Sequence, residues 1–452
     1  MIDASTGTFY LSYGALCFAL LVTYIRVKSA EGITITTREF KGFQTSFLTC
    51  YSAMILCELI CTASFFQTYV ALKFSLEQVT KLYVVTIAST TACGILVEVV
   101  DVGSRKDKCV LSGILYSVAM LTVFLGGHFD VVLLGRVVYG AASALHHSSF
   151  EAYVINEHAS LGFPDDWLTQ TFTFLTHSMS LVAALSGTVG QVATSSGGPL
   201  GCAALCCALF ALTSVYLVAA WGKDMGSPKF MLSGFLFNVR QTVQAVKINR
   251  QMALLMGISS LCEASITVFT FYWAPWITFM VPEDARAAVP YPIVFATYIA
   301  ASMLGNYLYQ MYSSQGGGAG GSSSGASVDG IFQAILFASS LAFFLGAAFQ
   351  TPTMAFGISV VVQMCVGGYW PSVGHLRGRY VLPELRATFL TLSRMVTLVI
   401  AVAVLTLAHH NPMLTLGACA VLNGAAAYLQ HVITHTDLTR GLPTIDEDEA
   451  DH

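Results

Sequence analysis

Leu56-Cys57-Glu58-Leu59-Ile60-Cys61-Thr62 sets one carboxylate in the middle of an apolar run covering residues 47–71. The arrangement returns at Leu261-Cys262-Glu263-Ala264-Ser265-Ile266-Thr267, inside the run 252–276. Each glutamate is the twelfth residue of its run. At that depth in a bilayer a charge costs at least about 2.5–3.5 kcal/mol. A second pair matches as well. Thr171-Phe172-Thr173-Phe174-Leu175-Thr176-His177 and Thr388-Phe389-Leu390-Thr391-Leu392-Ser393-Arg394 both close on a basic group. Two such matches predict two halves related by a parallel pseudo-two-fold axis.

The composition requires a membrane. Of 452 residues 55% are hydrophobic and only 10% are charged, against about 25% charged in soluble domains. A net charge of −4 argues against nucleic acid as a partner. Apolar runs of spanning length fall near 9–26, 47–71, 80–101, 109–127, 130–156, 168–191, 199–221, 252–276, 289–312, 329–349, 353–374, 386–408 and 412–435. The first lacks a basic flank and a small-residue cleavage pattern, so it reads as a retained helix. The expected fold is an all-α polytopic membrane protein of two six-helix bundles with one extra N-terminal helix. The expected divisions are 1–45 (extra helix and linker), 46–222 (first bundle), 223–250 (middle loop), 251–436 (second bundle) and 437–452 (acidic tail). Residues 313–327, nearly all Gly, Ser and Ala, read as a flexible tether.

Sixteen of the 21 Lys and Arg fall on one face of this topology and three on the other. The basic face is therefore predicted to be cytoplasmic, with the N-terminus outside and Asp446-Glu447-Asp448-Glu449 inside. The plasma membrane is the expected location. The twelve cysteines include no CxxC pair and read as small buried hydrophobes. No metal or cofactor is expected. His146-His147 and His409-His410 are adjacent in sequence, and neighbours on a helix point about 100° apart, which makes them poor shared ligands. No GxxxxGK[ST] run is present, so ATP coupling is not expected.

Glu58, Arg136, Glu263 and Arg394 lie within spans and must face a wet cavity or one another. On the fourth core helix Arg136, Gly140 and His147 share a face. Near the end of that helix lies Glu151. The loop Asp101-Val102-Gly103-Ser104-Arg105-Lys106 can pair Asp101 with Arg105 and reach Glu151, which gives a conformational latch.

That loop resembles the major facilitator motif Gly-x-Leu-Ala-Asp-Arg/Lys-x-Gly-Arg-Lys at Asp101, Arg105 and Lys106. The sequence is most similar to the molybdate-anion transporter family of that superfamily. The similarity rests on Ser149-Phe150-Glu151-Ala152-Tyr153, Glu157-His158, Trp167, Glu263 with Phe269-Thr270-Phe271-Tyr272-Trp273-Ala274-Pro275, Gly368-Tyr369-Trp370-Pro371-Ser372, Leu376-Arg377 and Arg394. Of that family's Asp-Trp-x-Gln-Gly-Pro-Tyr run only the acid remains, as Glu58.

The resemblance implies a transporter, not an enzyme, moving molybdate by alternating access. A tetrahedral dianion needs positive charge and hydrogen-bond donors. Arg394 and Arg136 would supply charge, and His177, Tyr369, Trp370, Ser265 and Thr267 donors. An anion held beside Glu58 and Glu263 would favour their protonation, hence anion–proton symport. Sulfate, an organic anion or a sugar as cargo, and a non-transporting receptor on the same fold, are the alternatives.

Overall fold

The structure is a computed structural model that describes residues 2–30, 36–101, 104–125, 128–221, 229–230, 232–315 and 328–440. Most of the Gly/Ser tether and the acidic tail from 441 onward lie outside the described residues, as do the side chains of Asp101 and His177.

Helices form because an apolar chain in lipid must bond its own backbone. They are α1 (Ile2–Ala30), α2 (Arg38–Ala71), α3 (Leu76–Val99), α4 (Arg105–Phe124), α5 (Phe129–Ser160), α6 (Asp165–Ala220), α7 (Leu232–Ile248), α8 (Arg250–Met280), α9 (Tyr291–Gln315), α10 (Val328–Ala348), α11 (Pro352–Tyr380), α12 (Arg386–Ala408) and α13 (Pro412–Arg440). All thirteen predicted spans are helical. Two of them run together in α6 and part at Gly198, whose φ of 63° only glycine adopts readily. Among the described residues, 11 stretches are long and apolar enough to cross a membrane. α1 adds a shorter apolar run, Gly7–Val22. Polar caps mark the ends. Thr37 accepts from the Phe40 amide, Ser104 from Asp107, and Asn249 from Gln251 and Met252, which satisfies amides that the first turn leaves unpaired.

The middle segment departs from expectation. A loop was expected there, and it holds the amphipathic helix α7, which packs against α12 and α8. Just before it, Lys229–Phe230 pairs antiparallel with Val100–Asp101, the only strand pairing among the described residues.

Helices α2–α6 form one bundle and α8–α13 the other, and α6 meets α9 while α3 meets α12 across the seam. Glycine allows the first approach. A Cβ on Gly187 would lie 2.6 Å from the Ala296 Cβ, and one on Gly190 3.0 Å from Pro292. α1 rests on α9, where Leu20 packs with Ala300 and Tyr307, and the Tyr13 hydroxyl donates to the Ala184 carbonyl on α6.

Candidate functional site: a charged cavity between the bundles

A cavity of about 330 Å³ lies between the bundles. Thr86, Thr90 and Thr91 of α3 and Tyr139 and Ser143 of α5 line one side. Glu263 and Thr267 of α8, Trp370 of α11, and Arg394 and Thr397 of α12 line the other. Aromatic side chains of α2, α3 and α8 pack together at one end. There Tyr83 stacks on Phe271 at 4.9 Å, Phe65 meets Phe271 edge-on at 6.2 Å, and the Tyr83 hydroxyl donates to the Thr267 carbonyl at 2.9 Å. Towards the opposite end His147, Glu151 and Arg394 are exposed.

Arg394 makes no hydrogen bond or ion pair with a described residue. Glu263 lines the same cavity, but its charge is already paired with another group. Arg377 of α11 forms an ion pair with Glu263 and also donates to the Ser259 hydroxyl at 3.4 Å. Tyr369, fully buried, donates to the same Glu263 oxygen at 3.1 Å. The expected span 353–374 leaves Arg377 outside the membrane, among the sixteen basic residues of the cytoplasmic face. α11 runs on to Tyr380, past the estimated end of its span, and carries Arg377 inside. The Leu376-Arg377 match was the one signal that pointed to it.

In the first bundle Glu58 is surrounded by donors. Tyr116 reaches Oε1 at 3.0 Å, Ser143 at 3.3 Å, and His147 Nε2 lies 3.4 Å away. The ring of His146 stands beside His147, centroid to centroid at 5.1 Å. Arg136 is buried and faces a smaller cavity of about 120 Å³ with Glu58. Its guanidinium donates to the Tyr69 hydroxyl at 2.7 Å and lies over Phe65, Tyr69 and Tyr139 at 4.7, 5.1 and 4.7 Å. Those aromatic faces turn the negative side of their quadrupoles to the cation and hold it without a direct ion pair. The Gly140 position fits the same packing, since a Cβ there would meet the Thr86 carbonyl of α3 at 2.7 Å.

Of the residues expected at the site, Glu263, Thr267, Trp370 and Arg394 share the larger cavity, and Glu58 and Arg136 the smaller. Tyr369 acts through Glu263. Ser265 turns away and receives a hydrogen bond from Asn423 of α13 at 2.6 Å, inside the second bundle. His177 lies outside the described side chains. Of the latch residues, Asp101 does too, Arg105 is half-buried at the start of α4, and Glu151 is exposed with no hydrogen bond or ion pair to a described residue. Thr86, Thr90, Thr91, Thr397, Tyr83, Tyr139 and Arg377 were not expected. Helical spacing alone cannot separate such residues from ordinary core.

The chain is similar to transporters at the level of both sequence and structure. It is 25% identical to the molybdate-anion transporter of Danio rerio, with 86% of this chain and 85% of that one covered. The identity to the Takifugu rubripes protein of the same name is 24%, over 85% and 83%. The crystal structure of the nucleoside transporter NupG superimposes with a TM-score of 0.61 at 13% identity, covering 88% of this chain and 99% of that one. A bacterial homolog of the human lysosomal transporter Spinster, in an inward-facing and unoccupied conformation, gives 0.62 at 15%, covering 89% and 99%. Both likenesses are of fold. The MFS_5 family, described as sugar transporters with 12 transmembrane segments, matches residues 8–365. This chain is therefore a multi-pass membrane protein of the major facilitator fold and belongs to the MFS_5 family of transporters.

Proposed function

We propose that this protein is a secondary active transporter that carries an oxyanion, molybdate, by alternating access. One observation carries the reading: Arg394 lines the cavity between the bundles with no counter-charge from a described residue. Arg377 holds Glu263 and aromatic faces hold Arg136, so the charge left over for a ligand is positive. Thr86, Thr90, Thr91 and Thr267 donate to carbonyls of their own helices. Ser143 and Thr397 are likewise engaged. Among the described residues that line the cavity, the donors left over are the five N–H groups of Arg394, the indole of Trp370 and the hydroxyl of Tyr139, a set suited to an acceptor-only oxyanion. The similarity to two named molybdate-anion transporters supports the same cargo.

With the basic face towards the cytoplasm, the N-terminus lies outside and the aromatic closure is at the outer end, so this state is inward-facing. The plasma membrane is the proposed location. Glu151 has no hydrogen bond or ion pair with a described residue in this state and would join Asp101 and Arg105 when the inner end closes.

Uptake of labelled molybdate into proteoliposomes tests the reading, run with and without an imposed pH gradient to ask whether protons accompany the anion. Unchanged uptake in Arg394→Ala would overturn the anion site. A sugar is the second reading. It is favoured by the family description and by Trp370, half exposed to the cavity as a stacking surface. Competition by tungstate and sulfate but not by hexoses separates the two.

A further inference from the structure

His146 lies in the middle of α5 with no solvent exposure, and both ring nitrogens are buried without a hydrogen-bond partner. Imidazole carries one donor and one acceptor even when neutral, and a buried polar group left unpaired calls for an explanation such as an ion. Stacking holds the ring in place. Tyr51 lies parallel to it at 5.4 Å and Phe150 edge-on at 4.8 Å.

The next residue turns the same way. Neighbours on a helix diverge by about 100°, but the rings of His146 and His147 tip together over Glu58. The ligating atoms of Glu58, His146 and His147 all lie within 4.8 Å of one another. Tyr116 and Ser143 donate to Glu58 Oε1 and fix the carboxylate's orientation, the outer support that metal-binding carboxylates usually have; Oε2 has no hydrogen bond to a described residue.

We propose that Glu58, His146 and His147 bind a divalent transition-metal ion of the zinc type between α2 and α5. Two imidazoles and one carboxylate form the donor set of open zinc sites, with a fourth position left over. Nitrogen donors favour Zn²⁺, Co²⁺ or Ni²⁺ over Mg²⁺ and Ca²⁺, and the lack of a thiolate disfavours Cu⁺. Ligand atoms around tetrahedral zinc stand about 3.4 Å apart, given bonds of about 2.0–2.1 Å. Binding therefore draws the present cluster in by about 1 Å, within the reach of a χ rotation. The site borders the transport cavity through Ser143, which lines that cavity, but it does not depend on the identity of the cargo.

The test uses the full-length protein in detergent, titrated with Zn²⁺ alone by calorimetry and with Co²⁺ alone by visible absorption. No transport is measured, so the result stands apart from the molybdate reading. One equivalent should bind, and Co²⁺ should develop the intense bands of a tetrahedral site. Glu58→Gln and His147→Gln should each weaken binding by at least about tenfold. His146→Phe should do the same, because the phenyl ring fills the slot between Tyr51 and Phe150 without a ligand atom. If that variant fails to fold, the other two decide. His410→Ala and His431→Ala remove competing pairs elsewhere and should leave the affinity unchanged. No saturable binding by the wild type, equal affinity in the Glu58 and His147 variants, or loss of binding only in the His410 or His431 variants would overturn the site.

Discussion

Arg377, and not Arg394, neutralises Glu263. Both arginines belong to the second bundle, but they divide two tasks. Arg377 is 15% and Glu263 11% exposed at the side chain, so neither has water to fall back on. Removing one partner of such a pair leaves a buried charge uncompensated, at a cost of about 3–5 kcal/mol. Arg377→Met should lower the thermal unfolding midpoint of the purified protein sharply. Adding Glu263→Gln to Arg377→Met should recover most of the loss. A double variant as unstable as the single one would mean that the pair is not the reason.

Arg394 should behave in the opposite way. It has no partner to strand among the described residues, so Arg394→Gln should leave the stability within about 0.5 kcal/mol of wild type, as surface changes do. Molybdate binding should weaken by at least about tenfold, since a charge-assisted hydrogen bond contributes about 1.5–3 kcal/mol. The two arginine variants together separate support from recognition. Equal losses of stability would refute the division.

The sequence made the spans legible because lipid enforces a simple rule of about 20 apolar residues per helix. The repeat made the two glutamates legible. Partners were harder to read. Arg377 stood three residues after a proposed helix end and was taken for a loop charge, although one more helical turn carries it to Glu263. α7 was missed because Arg240 and Lys247 make the segment look like a basic loop, although Leu232, Leu236, Val239 and Val243 keep helical spacing. The convergence of His146 and His147 on Glu58 depends on side-chain rotation, which residue spacing does not encode.

His409 predicts a pH dependence. It lies in the turn between α12 and α13, 5% exposed, with both ring nitrogens unpartnered. Burial, and then the charge of His410, whose ring lies tilted against it at 3.6 Å, lower its pKa below the ordinary histidine range. The nearby backbone carbonyls of Leu405 and Thr406, and then Glu77 on α3, itself bridged to Lys81, oppose the shift. A base with a lowered folded pKa is more readily protonated in the unfolded chain. Its contribution to stability is therefore intact above about pH 6.5 and is lost as the pH falls below it. His409→Phe should flatten the fall in unfolding midpoint between neutral and mildly acid pH. A parallel slope in the variant would rule His409 out as the source.

At the α6–α9 seam Gly187 and Gly190 bring the bundles into close contact, and its tolerance can be tested atom by atom. In Gly187→Ala the new methyl would lie 2.6 Å from the Ala296 Cβ, closer than two carbons can approach, and neither atom sits on a side chain that can rotate away. Relief requires the helices to part, at about 1–3 kcal/mol for such overpacking. The seam lies beside the closed end, so the strain should fall on the closed-outside state and shift the population towards the opposite one. A cysteine placed at Thr270, behind the Tyr83–Phe271 stack, should then react faster with a water-soluble maleimide in Gly187→Ala than in wild type. Adding Ala296→Gly removes the clashing atom and should return the rate to its starting value. If the double variant stays fast, the methyl acts on α6 itself and the seam does not control which end is open.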